Sequence, residues 1–465
     1  MELRESSGRP FSDWLKKGLL SGKISGVVMG VTDLIFYLAF AVCYSWSFIR
    51  QTTLFTRIMT HDQRHFVDGI YNNMALVAIL CGIVALLLQN SVRLAVFEGV
   101  LAAAGYACWK EGSGKAYLFV MCALIVGATG RSFRVILSET VFLGTVLMIC
   151  AVSASQMGII EDLVYNGTRH SFGIVYCTDC AAHILFLMLA WLMLRIESIR
   201  AADYLPLIPA MILMSFNGAK TNFLCALMMI AGTVLYHLTV RWKGRRIWKW
   251  PAAVLCCFFP LFTVFSLCAP FLINIDQPAL RARLDSIDPS LTMRLEMGRR
   301  AFSEYEVRLF GTKMSEHGFG GKVGGFEGWD KYFFIDNSYV RLLMLGGVSL
   351  LLLLIAALTW SQLRCFASGR YGCVFLLWII AVVCVMEHHL IEPSYNIFPL
   401  MAFTGSSFFR IRNREGKKSA RKAGHDRTEN GTVEDANEKS PPRVFRTNAL
   451  HLLTIACALT CSGMV

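Results

Sequence analysis

Charge is scarce in this sequence. Only 17% of its 465 residues are Asp, Glu, Lys or Arg, against roughly 25% in a soluble domain. Acidic residues are the rarer kind, 32 against 45 basic ones, which leaves a net charge of +13. With 55% of residues hydrophobic, the composition excludes a disordered chain and an ordinary cytosolic enzyme. Zinc motifs are missing too. There is no HExxH, and the CxxC formed by Cys177 and Cys180 has no second pair at zinc spacing, so those two read as ordinary thiols. No GxxxxGK[ST] loop is present to cradle a nucleotide. The 16 cysteines do not outline a secreted disulfide scaffold. Most of them, Cys43, Cys81, Cys122, Cys225 and Cys384 among them, lie in apolar runs and behave as small hydrophobes. No cleavable signal peptide is visible, and the first apolar run is expected to act as the insertion signal. No nucleic-acid partner is expected, because on so apolar a chain a basic excess fits cytoplasmic loops.

What the chain has instead is apolar sequence in long blocks. Twelve of them approach the length needed to cross a ~30 Å hydrocarbon core: 32–48, 73–88, 94–109, 116–130, 135–155, 172–194, 204–216, 222–240, 252–273, 338–360, 372–391 and 395–409. The segment 204–216 carries Pro206 and Pro209, tolerated only where neighbours satisfy the freed backbone groups. With a long loop at 274–337 and the C-terminal tail set aside, a cytoplasmic N-terminus puts 17 Lys and Arg inside and 8 outside. That imbalance predicts both termini in the cytoplasm. The expected architecture is an all-α polytopic membrane protein of about twelve transmembrane helices. Residues 1–31 form a cytoplasmic N-terminal segment, 32–273 hold spans one to nine, 274–337 form a large extracytoplasmic loop and 338–410 hold spans ten to twelve. Residues 411–446 read as a basic, disordered cytoplasmic tail whose start can touch anionic lipids, and 447–465 as a short apolar C-terminus.

The loop at 274–337 is too long and too apolar to be a plain connector. Asp288 suits an N-cap and Pro289 the first helical position, and Leu291, Leu295, Phe302 and Leu309 share one face at helical spacing. Arginines run beside that face, the pattern of a helix lying at a membrane surface. The loop concentrates Arg294, Arg299, Arg300 and Arg308 beside His317, Asp330 and Asp336. Clustered guanidinium groups suit a phosphate or diphosphate through bidentate hydrogen bonds, although Arg300 and Glu304 also fit a plain i,i+4 pair. The glycine-rich run after His317 suits tight turns. Polar residues at span ends are costly and so are functional candidates. Glu387, His388, His389, Glu392 and Asn396 form the densest group. Asp336 and Asn337 precede the tenth span, Arg169, His170 and Asp179 flank the sixth, and Asn217 and Lys220 lie in a short loop. In the chosen topology all of these fall on the outer face.

The order of these features resembles the superfamily of Wzy-type polysaccharide and O-antigen polymerases and O-antigen ligases. RHSFGIVYCTDCAAH, SFNGAKTNFL, MRLEMGRRAF, LFGTKMSEHGFG, IDNSYVRLLMLGGV and MEHHLIEPSYNIFPL carry the resemblance, which covers roughly residues 160–410. IDNSYVRLLMLGG after a loop bearing LFG is its most specific piece. Lys220 stands where the family has Arg, keeping the charge and losing the fork, and Asp179 stands where it has Asn.

The resemblance implies a GT-C-like fold and glycosyl transfer on the outer face of the bacterial cytoplasmic membrane. A glycan on undecaprenyl diphosphate would be passed to a new lipid-linked repeat unit. A diphosphate leaving group needs charge stabilisation rather than a general acid, so neither cofactor nor metal is expected. Arg169, Lys220, Arg294, Arg299, Arg300, Arg308, Asn337 and Tyr339 are the expected substrate-binding residues. Asp336, Glu387, His388 and His317 are the expected acid–base residues. Expected partners are undecaprenyl-diphosphate-linked glycans and membrane lipids, with a chain-length regulator and a flippase by analogy. A ligase of the same superfamily and a transporter without chemistry remain open. The transporter is disfavoured because the second half does not repeat the first and the polar residues avoid the midplane.

Overall fold

The computed structural model describes residues 22–89, 92–287, 289–318 and 332–409. Residues 1–21, the tail at 411–446, the apolar stretch 447–465, the Asp288 cap, most of the glycine-rich run and Asp330 lie outside the described residues.

The described residues are mostly helical, as the apolar runs dictate. The helices are α1 (Gly22–Ile49), α2 (His61–Gln89), α3 (Val92–Lys110), α4 (Ala116–Gly127) and α5 (Phe133–Gln156), then, after a short hairpin, α6 (Cys177–Arg195), α7 (Leu207–Asn217), α8 (Lys220–Lys243), α9 (Lys249–Leu255) and α10 (Phe258–Leu272). In the long loop follow α11 (Pro278–Ile287) and α12 (Pro289–Glu304), and beyond it α13 (Ser338–Ala367) and α14 (Tyr371–Met386). Among the described residues, seven stretches are long and apolar enough to cross a membrane, lying in α1, α2, α5, α6, α8, α9–α10 and α13. Large apolar side chains stand exposed on them, Leu38, Leu80, Ile149, Leu235 and Leu352 for instance, as residues facing lipid do.

Helix α4 is the hub. Every residue from Leu118 to Gly127 is buried. Its neighbours approach so closely because glycine stands at the crossings: a Cβ at Gly82 would meet Val126, one at Gly105 would meet Cys122, and one at Gly127 would meet Phe36. Small residues at such crossings are the usual means of packing helices without a hydrophobic driving force.

Several expected spans differ from the helices found: α1 begins ten residues before the expected 32–48 block, inside the segment read as cytoplasmic, and α2 twelve residues before the 73–88 block. The block at 252–273 breaks at Cys256–Cys257, dividing α9 from α10. The block at 172–194 starts its helix five residues late, because Phe172 and Gly173 have φ of 51° and 83° and turn the chain away from helix. The block at 395–409 is not an α-helix at all, only two 3₁₀ turns at Phe398–Ala402 and Ser406–Phe408. It nevertheless runs the length of α13. At one end the Leu390 amide donates to Ser338 Oγ at 3.2 Å. At the other, Arg364 donates to the carbonyls of Met401, Ala402 and Thr404 at 2.8–3.0 Å, and Arg370 to that of Phe408. Pro393 and Pro399 remove two amide donors that a helix would need, and Asn396 bridges Leu390 O and Phe398 N instead. The return strand is therefore buried irregular backbone with its carbonyls served by arginine.

The motif pair LFG and LGG meets in space. Gly347 (φ 71°) breaks α13 into two helical pieces, and Gly311 (φ 83°) lies against the break. Val348 N donates to Arg308 O, Ser349 N to Leu309 O, and Thr312 N to Met344 O, at 2.8–3.1 Å. Cys108 Sγ reaches Gly346 O from α3 at 3.0 Å. A Cβ at Gly311 would run into the Leu345 carbonyl. Gly311→Ala is therefore expected to cost on the order of 1–3 kcal/mol, read as a lower melting temperature of the purified protein. Gly99→Ala is the contrast: it lies in α3 with nothing near its Cβ position, and should be neutral or gain up to about 1 kcal/mol.

Candidate functional site

The ends of α1, α2, α3, α4, α6, α12, α13 and α14 that share one face of the bundle surround a cavity of about 710 Å³. Its polar wall comes from residues placed just beyond or at the tips of the helices. Arg50 follows α1 and bonds Asp68 of α2 at 3.1 Å. Lys115 precedes α4. Asp179 sits in the first turn of α6. Arg294 comes from α12, Asp336 from the segment before α13, Arg341 from the first turns of α13, and Glu387, His388 and Glu392 from the chain after α14.

Each charge has an arranged counterpart. Arg294 Nε stands 3.6 Å from Asp336 Oδ2. Arg341 donates to Glu316 at 3.0 Å and lies over the Phe334 ring, 4.6 Å from its centroid; Lys115 Nζ is 3.8 Å from the same carboxylate oxygen. Glu387 accepts from Asn222 of α8 at 3.2 Å, and Glu392 from Gln51 at 3.3 Å. Burial pushes the Glu387 carboxyl up to about 8, against the pull of Arg294. Burial likewise raises Glu392 to about 7, opposed by Arg341, and lifts Asp336 above the ordinary carboxylate range against Arg294 and Arg341. His388 and His389 are held well below the usual imidazole range by burial first and by their cationic neighbours second. A column of rings fixes them: His183 stacks on Tyr395 at 3.8 Å, Tyr395 on His389 at 3.9 Å, and His389 lies 4.0 Å from His388. The ligand atoms of Asp179, His388 and His389 lie within 4.8 Å of one another, close enough to hold one metal ion.

Of the residues proposed from the sequence, Arg294, Asp336, Glu387 and His388 line this cavity. The others serve elsewhere. Arg299 pins α12 to the end of α10, donating to Pro270 O, Ile273 O and Asp276 at 2.7–3.3 Å. Arg300 pairs with Glu304, as the i,i+4 spacing allowed, and donates to Tyr332 O at 2.9 Å. Arg308 is exposed and meets Glu306. His317 is exposed and pairs its backbone with Phe333. Arg169, on the hairpin strand Arg169–His170, donates to Asn217 O at 3.1 Å and so braces the α7–α8 turn. Lys220 is exposed at the start of α8. Asn337 is the N-cap of α13 and bonds Ser266 and Val385 O as well. Tyr339 is buried, donating to Ala381 O at 2.9 Å. The last two are helix-packing residues, and their polar atoms are taken up by neighbouring helices.

Helix α12 also turns differently from the expected face. Thr292, Met297 and Ala301 are buried, with Gly298 set against Pro270, while Leu291, Leu295 and Phe302 are half-buried flanks and Leu309 lies beyond the helix, exposed. Gly298 allows the close approach. Sequence reasoning missed Arg50, Lys115, Glu316 and Arg341. For Arg341 the signal was present, since a lone arginine in an apolar run is costly. No protein-family model, curated protein or solved structure matches the chain.

The Arg341–Glu316 pair has side chains only 10% and 6% exposed. Arg341→Met should therefore leave a buried carboxylate and destabilise the fold by about 3–5 kcal/mol. Adding Glu316→Gln should recover most of that. Chemical unfolding of the purified single and double variants checks it, and a double variant no better than the single would refute the pairing.

Proposed function

We propose that this chain is a membrane glycosyltransferase that polymerises undecaprenyl-diphosphate-linked oligosaccharide repeat units on the outer face of a bacterial cytoplasmic membrane. The observation that carries the reading is the cavity itself. Arg294 and Asp336 share its wall 3.6 Å apart, so an anion-binding cation and a carboxylate base face one space. A diphosphate leaving group is stabilised by such a fixed cation, and Asp336 takes the proton of the acceptor hydroxyl. The polyprenyl tail lies along α12 and the lipid-facing spans beside it.

Taken as crossings, eleven helical segments and the irregular return along α13 would make twelve and leave both termini on one side, and the Lys and Arg counts favour the cytoplasm for that side, with the cavity outside. The GT-C-like description rests on the resemblance of motif order alone. The resemblance does not separate polymerase from ligase, and purified protein supplied with lipid-linked repeat units does. A ladder of products supports polymerisation, a single transfer supports a ligase, and no bond formation overturns both.

In that assay Arg294→Ala is expected to lose about 10–100-fold in rate, the scale of one charge-assisted contact. Asp336→Asn is expected to lose on the order of 10²-fold or more. Arg308→Ala, far from the cavity wall, should stay within about twofold, the ordinary effect of an exposed substitution. Wild-type rates in a folded Arg294→Ala protein would refute the anion-binding role.

A further inference from the structure

We propose that Asp179, His388 and His389, with Glu387 beside them, form a binding site for a divalent transition-metal ion. The expectation of a metal-free chain rested on the missing zinc motifs and on a diphosphate leaving group that needs no metal, whereas this group is assembled in space from α6 and from the chain after α14.

Three observations converge. First, the ligand atoms are clustered: His389 Nε2 lies 3.7 Å from Asp179 Oδ1 and 3.9 Å from Glu387 Oε2. These separations are too long for hydrogen bonds. Two ligands bound to one ion at about 2.0–2.2 Å each stand no more than about 4.4 Å apart, so the distances suit a shared ion. Second, the imidazoles lack hydrogen-bond partners among the described residues. His389 is 0% exposed, and neither of its ring nitrogens, nor His388 Nδ1, has such a partner there. Buried polar groups are nearly always paired, and stacking between Tyr395 and His388 prevents His389 from turning to find another partner. Third, carboxyl groups outnumber cations. Among the described residues five carboxyl groups and four cationic side chains line the cavity, and Glu316 already takes up Arg341 and Lys115, so carboxyl oxygens remain for an added cation.

Two imidazoles and a carboxylate suit zinc, cobalt, iron or manganese better than magnesium or calcium. Asp179, Glu387 and His388 line the cavity while His389 stands behind them. The ion would keep an open position toward the cavity, the arrangement of a site that receives a ligand rather than of a closed structural one. The inference stands apart from the glycosyl-transfer reading, because the ion would bind whatever the substrate.

The test uses the full-length protein in detergent, stripped with a chelator, dialysed and titrated with Co²⁺. A visible ligand-field band that saturates and is displaced by Zn²⁺ is expected. Asp179→Asn and His389→Gln should each abolish it, and His317→Ala should keep it. Zn²⁺ should also raise the melting temperature of wild type and leave that of the Asp179→Asn protein unchanged. Absence of the band in folded wild type overturns the proposal. So does a band that survives Asp179→Asn, or one with the strong near-ultraviolet sulfur-to-cobalt transitions that would assign the ion to Cys177 and Cys180. If His389→Gln does not fold, Asp179→Asn and His388→Ala decide the matter.

Discussion

A carbonyl oxygen in an apolar interior needs a donor, and where this chain leaves the helix, arginine supplies it. Arg131 is the fullest case. It is 1% exposed, and it donates to the carbonyls of Gly127, Thr129, Thr32 and Cys81 while pairing with Asp33 at 3.2 Å. It thereby ties α1 and α2 to the end of α4. Arg364 and Arg370 do the same for the return strand. A guanidinium offers five N–H donors in a fixed fork and cannot lose its charge, so one side chain serves several carbonyls at once. The buried strand is possible only because of this, and the turn that joins it to α14 carries Glu387, His388 and Glu392 to the cavity wall. The site therefore depends on cations placed at the opposite end of the bundle.

How much of this was legible follows from what each residue's neighbours in sequence reveal. Apolar runs report burial along a line, so α5, α8 and α13 could be read closely. The run at 395–409 is as apolar as the others yet is not helical, because hydropathy records that a segment is buried and says nothing of who satisfies its backbone. The Asn166–Gly167 turn of the hairpin was readable and went unread, while α11 carries no strong apolar period. Within the long loop, four arginines looked alike by charge and spacing. Only contacts separate Arg294, at the cavity wall, from Arg299, which pins one helix to another. The Asp179–His389 approach joins residues more than two hundred positions apart, and no spacing rule reaches that far.

Among the described residues the cavity's cations are all occupied, Arg50 by Asp68, Arg294 by Asp336, and Arg341 and Lys115 by Glu316. An entering anion must therefore exchange with a carboxylate rather than settle on a bare charge. Exchange of this kind weakens affinity, because the ion pair already formed must be broken. It also raises selectivity, since only a ligand that uses both the freed cation and the freed base recovers the loss.

Helix α4 has one more effect. At 12 residues it rises about 18 Å, short of a ~30 Å hydrocarbon core. Its Lys115 end forms part of the cavity floor. A helix that short covers only part of a crossing, so the backbone beyond its ends has to be served from within the protein. At its far end the Gly130 amide donates to Phe403 O at 2.9 Å.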